Sequence, residues 1–412
     1  MSQPVRILHV VSRMDRGGAE IRTMEILRRI DRRRFRLHFC AVSGCAGEFD
    51  DEIRKLGGQI HALSRATPGF AGRFRALLRR YRFDAVHAQV LYFSGHVLRL
   101  AAGCAVPVRV AQLHNTRAAG RSGPARWLAR RLLRRWIDRY ATSIVGVSRG
   151  VLESVWGPGW AADPRCRVVY NGVDTSPYRA APDPLGVRRE FGLKDDAPLC
   201  LHVGRMLPQK NHLRLAAIFA ELLRRRPEAR LLVVGEGGND VERQLRRRIG
   251  QLGIERSVAI CGRRADVPRL MKAADVLLLP SLWEGLPGVV QEASIAGTPV
   301  VASDLPGVGE LAERLDRIHQ VGVNESDSRW AEVVAGVLDR PVTERARQEA
   351  LRAFEQSEFS VDRCADTYCR LWQGLILECG DSSPLSRICR RADILGSSRI
   401  CRESLLRVPA TK

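Results

Sequence analysis

Short apolar runs of strand length alternate along the chain with longer stretches whose apolar positions recur at helical spacing. In the first half the runs are RILHVV, RLHFCAV, AVHAQV, VRVAQLH, TSIVGVS and CRVVYNGV. Strands that alternate with amphipathic helices build βαβ units and hence a parallel sheet. The proline-rich segment YRAAPDPLGVRREFG, residues 178–192, interrupts the pattern and reads as an interdomain linker. Beyond it the alternation resumes with LCLHVGR, ARLLVVGEG, VAICGR, DVLLLPS and PVVAS, so the second half repeats the architecture without repeating the sequence. The pattern predicts an α/β fold of two doubly wound domains facing each other, residues 1–180 and 181–358. Such sheets bind ligands beyond the carboxyl ends of their strands, which puts a site in the cleft between the domains. A last helical pattern, which begins FSVDRCADTYCRLWQGLILE, is assigned to 359–379, and the polar, Ser- and Arg-rich stretch 380–412 reads as a disordered tail dispensable for catalysis.

Length and composition narrow the function classes. A chain of 412 residues exceeds the usual single-domain size. Its 11 cysteines form neither a CxxC pair nor a Cys/His cluster at zinc spacing, and HExxH and Asp-x-Asp are absent, so no metal is expected. No run approaches the roughly 18–20 apolar residues of a membrane span. The opening MSQPVRILHVVSRMD enters a strand directly, and a cytoplasmic location is the expectation. Charge is uneven: residues 1–180 hold 32 Lys and Arg against 13 Asp and Glu, a net +19 of the chain's +22. That bias suits an anionic partner. Only 5 of the 67 basic residues are lysine, however, and so strong an arginine bias can also reflect the nucleotide composition of the genome. With 6% aromatic residues and no recognised module, nucleic acid is not an expected partner.

The stretch EGLPGVVQE carries the most specific chemistry, with Glu284 and Glu292 eight positions apart around a Gly-Leu-Pro-Gly break. DVLLLPS before it should be a buried strand, and GVVQEASIAG a helix with Pro287 near its first turn, where proline is tolerated. Glu284 then lies in the loop at the strand's carboxyl end and Glu292 about one turn into the helix. A carboxylate accepts two hydrogen bonds from a vicinal diol, so the pair can hold two sugars. The backbone N–H groups of Gly288, Val289 and Val290 lie free at the helix N-terminus and favour a phosphate. Sugar, diphosphate and ribose in a row describe a nucleotide-sugar. An acid in a first helical turn also serves simply to stabilise the helix dipole.

Other strand ends add to the pattern. VGRMLPQKN offers Arg205 and Lys210, a fork and a point charge suited to a diphosphate. VVGEGG supplies Gly235 and Gly237, where a backbone can approach a ligand closely. SRMDRGGAEI places Gly17 and Gly18 after the first strand, at a spacing that is not the dinucleotide GxGxxG, which disfavours a dehydrogenase. His114 in AQLHNTR faces the same cleft, as a structural hydrogen-bonder or as a catalytic group.

GGAE, NGVD, HVGRMLPQKN, VVGEG, DVLLLPSLWEGLPGVVQEASIAGTPVVAS and DLPGVGE together resemble the retaining glycosyltransferases of family 4, over residues 5 to 375. The resemblance implies the GT-B architecture, two facing Rossmann-like domains with the active site in the interdomain cleft. It implies that Glu284 contacts hydroxyls of the donor hexose and Glu292 the ribose diol of the E-x7-E motif. Arg205 and Lys210 would neutralise the diphosphate, Gly17 and Gly18 would border the diphosphate and acceptor, and His114 would sit near the reacting sugar. The final helix would cross back onto the first domain. GEGGND in place of Gly-Asp-Gly-Pro, and Pro306 where glycine is usual, depart from the family pattern.

The reading is a hexosyltransferase drawing on a nucleotide-diphosphate-sugar, with no cofactor, acting on a lipid-linked or polysaccharide acceptor. By resemblance the reaction is a metal-independent front-face transfer with retention. An epimerase of the same shape and a non-catalytic carbohydrate-binding scaffold are the alternatives. In residues 121–140, Trp127, Leu128, Leu132, Trp136 and Ile137 can lie along one helix side flanked by arginines. An anionic surface at the inner face of the cytoplasmic membrane is thus a candidate partner, a helix packed on its own sheet being the alternative.

Overall fold

The computed structural model describes residues 3–115 and 123–375. Seven parallel strands form the first sheet: β1 Val5–Val11, β2 Phe35–Ala41, β3 Gln59–Ala62, β4 Ala85–Ala88, β5 Val108–Leu113, β6 Ser143–Gly146 and β7 Cys166–Val168, in the order β3-β2-β1-β4-β5-β6-β7. Six parallel strands form the second: β8 Leu199–Val203, β9 Arg230–Val234, β10 Val258–Gly262, β11 Val276–Leu279, β12 Val300–Ser303 and β13 Ile318–Val321, ordered β10-β9-β8-β11-β12-β13. β4, β6, β11 and β12 are buried throughout, as expected of strands covered by helices on both faces. The winding direction reverses beside β1 in one sheet and beside β8 in the other. These are the switch points at which doubly wound sheets open a crevice.

The apolar core is continuous from one sheet to the other. Leu8, Val86 and Leu113 of the first belong to the same buried cluster as Leu201 and Leu277 of the second, a cluster that also holds Val151, Leu286, Val290 and Val308. Separate clusters fill the outer face of each sheet.

The helix Val361–Trp372 returns to the first sheet, as the resemblance implied. Its Cys364, Tyr368 and Trp372 join the cluster of Ile7, Phe39 and Val110. Two polar contacts set its rotation: Gln112 Nε2 donates to Tyr368 Oη at 2.6 Å and Trp372 Nε1 to His87 Nδ1 at 3.2 Å.

Two expectations need correction. The 178–192 segment is not a bare linker, because Pro184–Glu190 is helical. Asp183 caps it by accepting from the Gly186 N–H, Pro184 occupies its first position, and Arg188 ties it to Asp275 at 2.9 Å. Proline there starts a helix rather than breaking one. In the helix Pro124–Tyr140, the five apolar residues do not share one outward side: Ile137 is buried, whereas Trp127, Leu128 and Leu132 are exposed. Trp136 turns inward against His96, with the Arg99 guanidinium 4.5 Å from its ring centre. The expected tail at 380–412 lies outside the described residues. No helix among the described residues is long and apolar enough to cross a membrane.

Candidate active site

β8 and β11 are neighbours at the second sheet's switch point, so the loops that follow them meet. The β8 loop turns through a short 3-10 segment, Pro208–Lys210, and the Leu282 N–H donates to the Gln209 carbonyl at 2.8 Å. Lys210 Nζ lies 2.7 Å from Glu284 Oε1, and Gln209 Nε2 donates to Glu284 Oε2 at 3.2 Å. Glu284 is buried and its side chain thereby held from two directions. Among the described residues no other acceptor takes the remaining two ammonium hydrogens of Lys210. Arg205, on the same loop, is exposed.

Glycines let these loops converge. A β-carbon on Gly235, which has φ +154°, would stand 1.9 Å from the Gly204 carbonyl oxygen. On Gly237 it would meet the Glu242 carboxylate at 2.0 Å. Gly285 is pressed against the first sheet, where a β-carbon would come within 2.0 Å of the His114 carbonyl oxygen. Ser148 Oγ donates to the Gly285 carbonyl at 3.1 Å, which pins the loop carrying Glu284 from the opposite side of the cleft. The His114 backbone is therefore packed against Gly285, the residue that follows Glu284. Both ring nitrogens of His114 are buried and have no hydrogen-bond partner among the described residues, and burial pushes its pKa down to about 4. Its imidazole is neutral at physiological pH.

Glu292 stands within the helix Gly288–Ala296, with Pro287 at the N-cap position. One expectation fails here. The Val290 N–H is not free, because it donates to the Pro287 carbonyl at 3.0 Å. Pro287 has no N–H but keeps its carbonyl, and the tight first turn uses it. Among the described residues the Gly288 and Val289 N–H groups have no such partner.

On the first domain, Gly17 caps the helix Gly18–Arg29 in an extended conformation. A β-carbon there would meet the Glu20 carboxylate at 2.3 Å, whereas Gly18 faces open space. Gly18 is thus the accessible member of the pair. Glu20 has its pKa raised by burial and lowered in part by the charge of Arg205 across the cleft.

Residues 16–177 match the family described as Glycosyltransferase Family 4, and residues 187–353 match Glycosyl transferases group 1. The chain is 30% identical over 351 residues to EpsF of Bacillus subtilis (strain 168), whose name describes a glycosyltransferase; the match spans 81% of this chain and 88% of EpsF. The chain belongs to the family 4 glycosyltransferases.

The transferase is also 26% identical, over 71% of its own length and 76% of the relative's, to the Escherichia coli enzyme named UDP-Gal:alpha-D-GlcNAc-diphosphoundecaprenol alpha-1,3-galactosyltransferase. Its fold superposes on the crystal structure of Anabaena Alr3699/HepE in complex with UDP with a TM-score of 0.75 at 21% identity, covering 90% of this chain and 100% of that one. The architecture is GT-B, two Rossmann-like domains, and the transferase is an enzyme that draws on a nucleotide-sugar.

Sequence reasoning passed over several residues that shape this site. Arg22, buried in the first helix, reaches across to Glu292 and also binds both oxygens of Glu25, at 2.9 and 2.7 Å. Glu310 accepts from the N–H groups of Arg149 and Gly150, each at 2.8 Å, and from Tyr170 Oη at 3.1 Å, so it closes the N-terminus of the helix Arg149–Trp156 from the second domain. Pro306, the departure from the family pattern, starts the helix Pro306–Ala312 that carries Glu310 and packs on Gly150.

Proposed function

We propose that the transferase moves a hexose from a nucleoside-diphosphate donor to a lipid-linked or polysaccharide acceptor, with retained anomeric configuration and without a metal ion. The Lys210–Glu284 pair at the switch point carries this reading. A lysine held 2.7 Å from a buried carboxylate is a fixed cation beside a fixed acceptor. Glu284 orients sugar hydroxyls as a fixed carboxylate acceptor, and Lys210 with Arg205 faces the diphosphate. Charge grows on the diphosphate as the C1–O bond breaks, so cations placed there bind the transition state more tightly than the donor. The acceptor oxygen bonds to C1 on the face the diphosphate leaves, and its proton passes to the departing phosphate oxygen. His114, neutral and adjacent, lines the reacting sugar. Glu292 accepts the ribose diol, while Gly288 and Val289 offer N–H groups to the diphosphate and Gly235 lets the base approach β9. Two named relatives support the acceptor class: the E. coli enzyme just described and the Staphylococcus aureus capsular polysaccharide biosynthesis glycosyltransferase CapH, 27% identical over 74% of this chain.

The exposed Trp127, Leu128 and Leu132, interleaved with Arg126, Arg131 and Arg135, favour an anionic membrane surface at the first domain. A polyisoprenyl acceptor would lie in that surface. The whole reading is tested by incubating the protein with UDP-, GDP- and ADP-hexoses in EDTA and measuring release of the nucleoside diphosphate with and without lipid-linked or polysaccharide acceptors. Acceptor-dependent release in EDTA is expected; release only after adding a divalent cation would overturn the metal-free step.

A further inference from the structure

Arg22 has a partner on its own helix, yet it also crosses the cleft. Its Nη1 donates to both oxygens of Glu25, and its Nη2 to Glu292 Oε1. The side chain is 7% exposed, and its guanidinium lies across the start of the Gly288–Ala296 helix, 3.6 Å from where a β-carbon of Gly288 would be. Glu292 is more open, its side chain 22% exposed, and among the described residues Oε2 has no hydrogen-bond partner.

Electrostatic neutrality required only Glu25. The second bond costs the arginine a geometric constraint and brings a second carboxylate into a buried setting, which is unfavourable unless compensated. Glu25 registers this: burial raises its pKa to about 6, and the nearby Glu292 charge contributes in the same direction. What the arrangement gains is orientation. A glutamate near a helix start has three free torsions, and freezing them on ligand binding costs affinity. A planar fork held at one end by Glu25 restricts them beforehand and leaves Oε2, with one lone pair of Oε1, to a ligand.

We infer that Arg22 is a positioning residue that presets the Glu292 carboxylate for the two hydroxyls of the donor ribose, so that one domain tunes nucleotide recognition by the other. The inference rests on the proposed ribose role of Glu292. Arg22 itself touches neither the sugar nor the reacting atoms.

The test compares UDP, GDP and ADP with their 2′-deoxy counterparts by calorimetry on the full chain, using the base that binds the native protein best. A hydrogen bond to a charged group favours the ribo form by roughly 10-fold or more. Glu292→Gln should reduce that preference to about 2-fold, and so should Arg22→Ala, because an unfixed carboxylate recovers little from the second hydroxyl. Arg22→Lys, which keeps the charge and loses the fork, should fall between. Since Arg22→Ala leaves two carboxylates unbalanced, Arg22→Ala/Glu25→Gln restores the native net charge of the trio and should show the same loss. In transfer assays the Arg22 variants should raise KM for the donor and leave kcat nearly unchanged. If Glu292→Gln loses the ribo preference while all Arg22 variants keep it, the inference falls and the ribose reading stands. If Glu292→Gln keeps it, or no nucleoside diphosphate binds, the ribose reading falls and the inference with it.

Discussion

Lys210 Nζ and Glu284 Oε1 are 2.7 Å apart although 74 residues separate them in the chain. They meet because β8 and β11 are adjacent where the sheet reverses, so both loops empty into one crevice. The pair places a positive and a negative group on one spot of the cleft wall, the requirement of a reaction that orients a neutral sugar while releasing an anion.

Lys210→Ala should lower kcat by about 100- to 1,000-fold, the usual loss when one preorganised donor to a developing anion is removed. Donor affinity should change less, since the added charge appears only as the bond breaks. Steady-state kinetics and calorimetry on one preparation separate the two. A variant with native kcat would show that other groups hold the diphosphate.

Gly285→Ala should impair the enzyme without touching any charged group. The added methyl would press on the His114 carbonyl oxygen, 2.0 Å away, and push the Glu284 loop off the first sheet. Overpacking of this kind costs about 1–3 kcal/mol. A lower unfolding midpoint together with reduced kcat is expected; native values for both would mean that the loop moves freely there.

Stability should decline as the solution is acidified below pH 6.5. Burial lowers the pKa of His9 to about 3 and those of His114 and His212 to about 4, and holds His87 well below its ordinary value of 6.5. Unfolded chains bind these protons near pH 6.5. The stabilisation is therefore complete above that value and lost progressively as pH falls toward the folded values. Glu25, raised to about 6, acts in the opposite sense, favouring the folded state below about 4.5 and losing that effect as pH rises through 6, but it is one group against several. Urea midpoints measured from pH 7.5 to 4.5 check the sign, and a flat profile would contradict it. His87 accepts from Trp372, so the returning C-terminal helix should loosen early, with a change in tryptophan fluorescence.

Replacing Trp127, Leu128 and Leu132 together by serine should abolish sedimentation with phosphatidylglycerol vesicles. All three are exposed on the Pro124–Tyr140 helix, so folding should not suffer. Binding of the native protein should weaken with salt, because its arginines supply the long-range attraction. Equal recovery of both proteins with anionic and neutral vesicles would remove the membrane from the account.

Most of the architecture was legible because parallel strands buried on both faces write themselves as unbroken apolar runs; VLLL of β11 is the plainest case. Glu284 was legible for a related reason, since the glycine and proline after it end the strand and make a loop. Arg22 was not, because its partner Glu292 is 270 residues away and one more arginine in an arginine-rich chain draws no attention. The Pro184–Glu190 helix was hidden by its own start signal, Asp183-Pro184, which out of context reads as a break. The engaged Val290 N–H depends on a turn at Pro287 that composition does not specify.

The central claim is transfer on the face that the diphosphate leaves, organised by residues 284–292 with Lys210. It is tested most directly by proton NMR of the first-formed product, reading the coupling constant of the newly linked anomeric centre against that of the donor found by screening. An α-linked donor should yield an α-linked product, with EDTA present throughout. A β-linked product would contradict the mechanism.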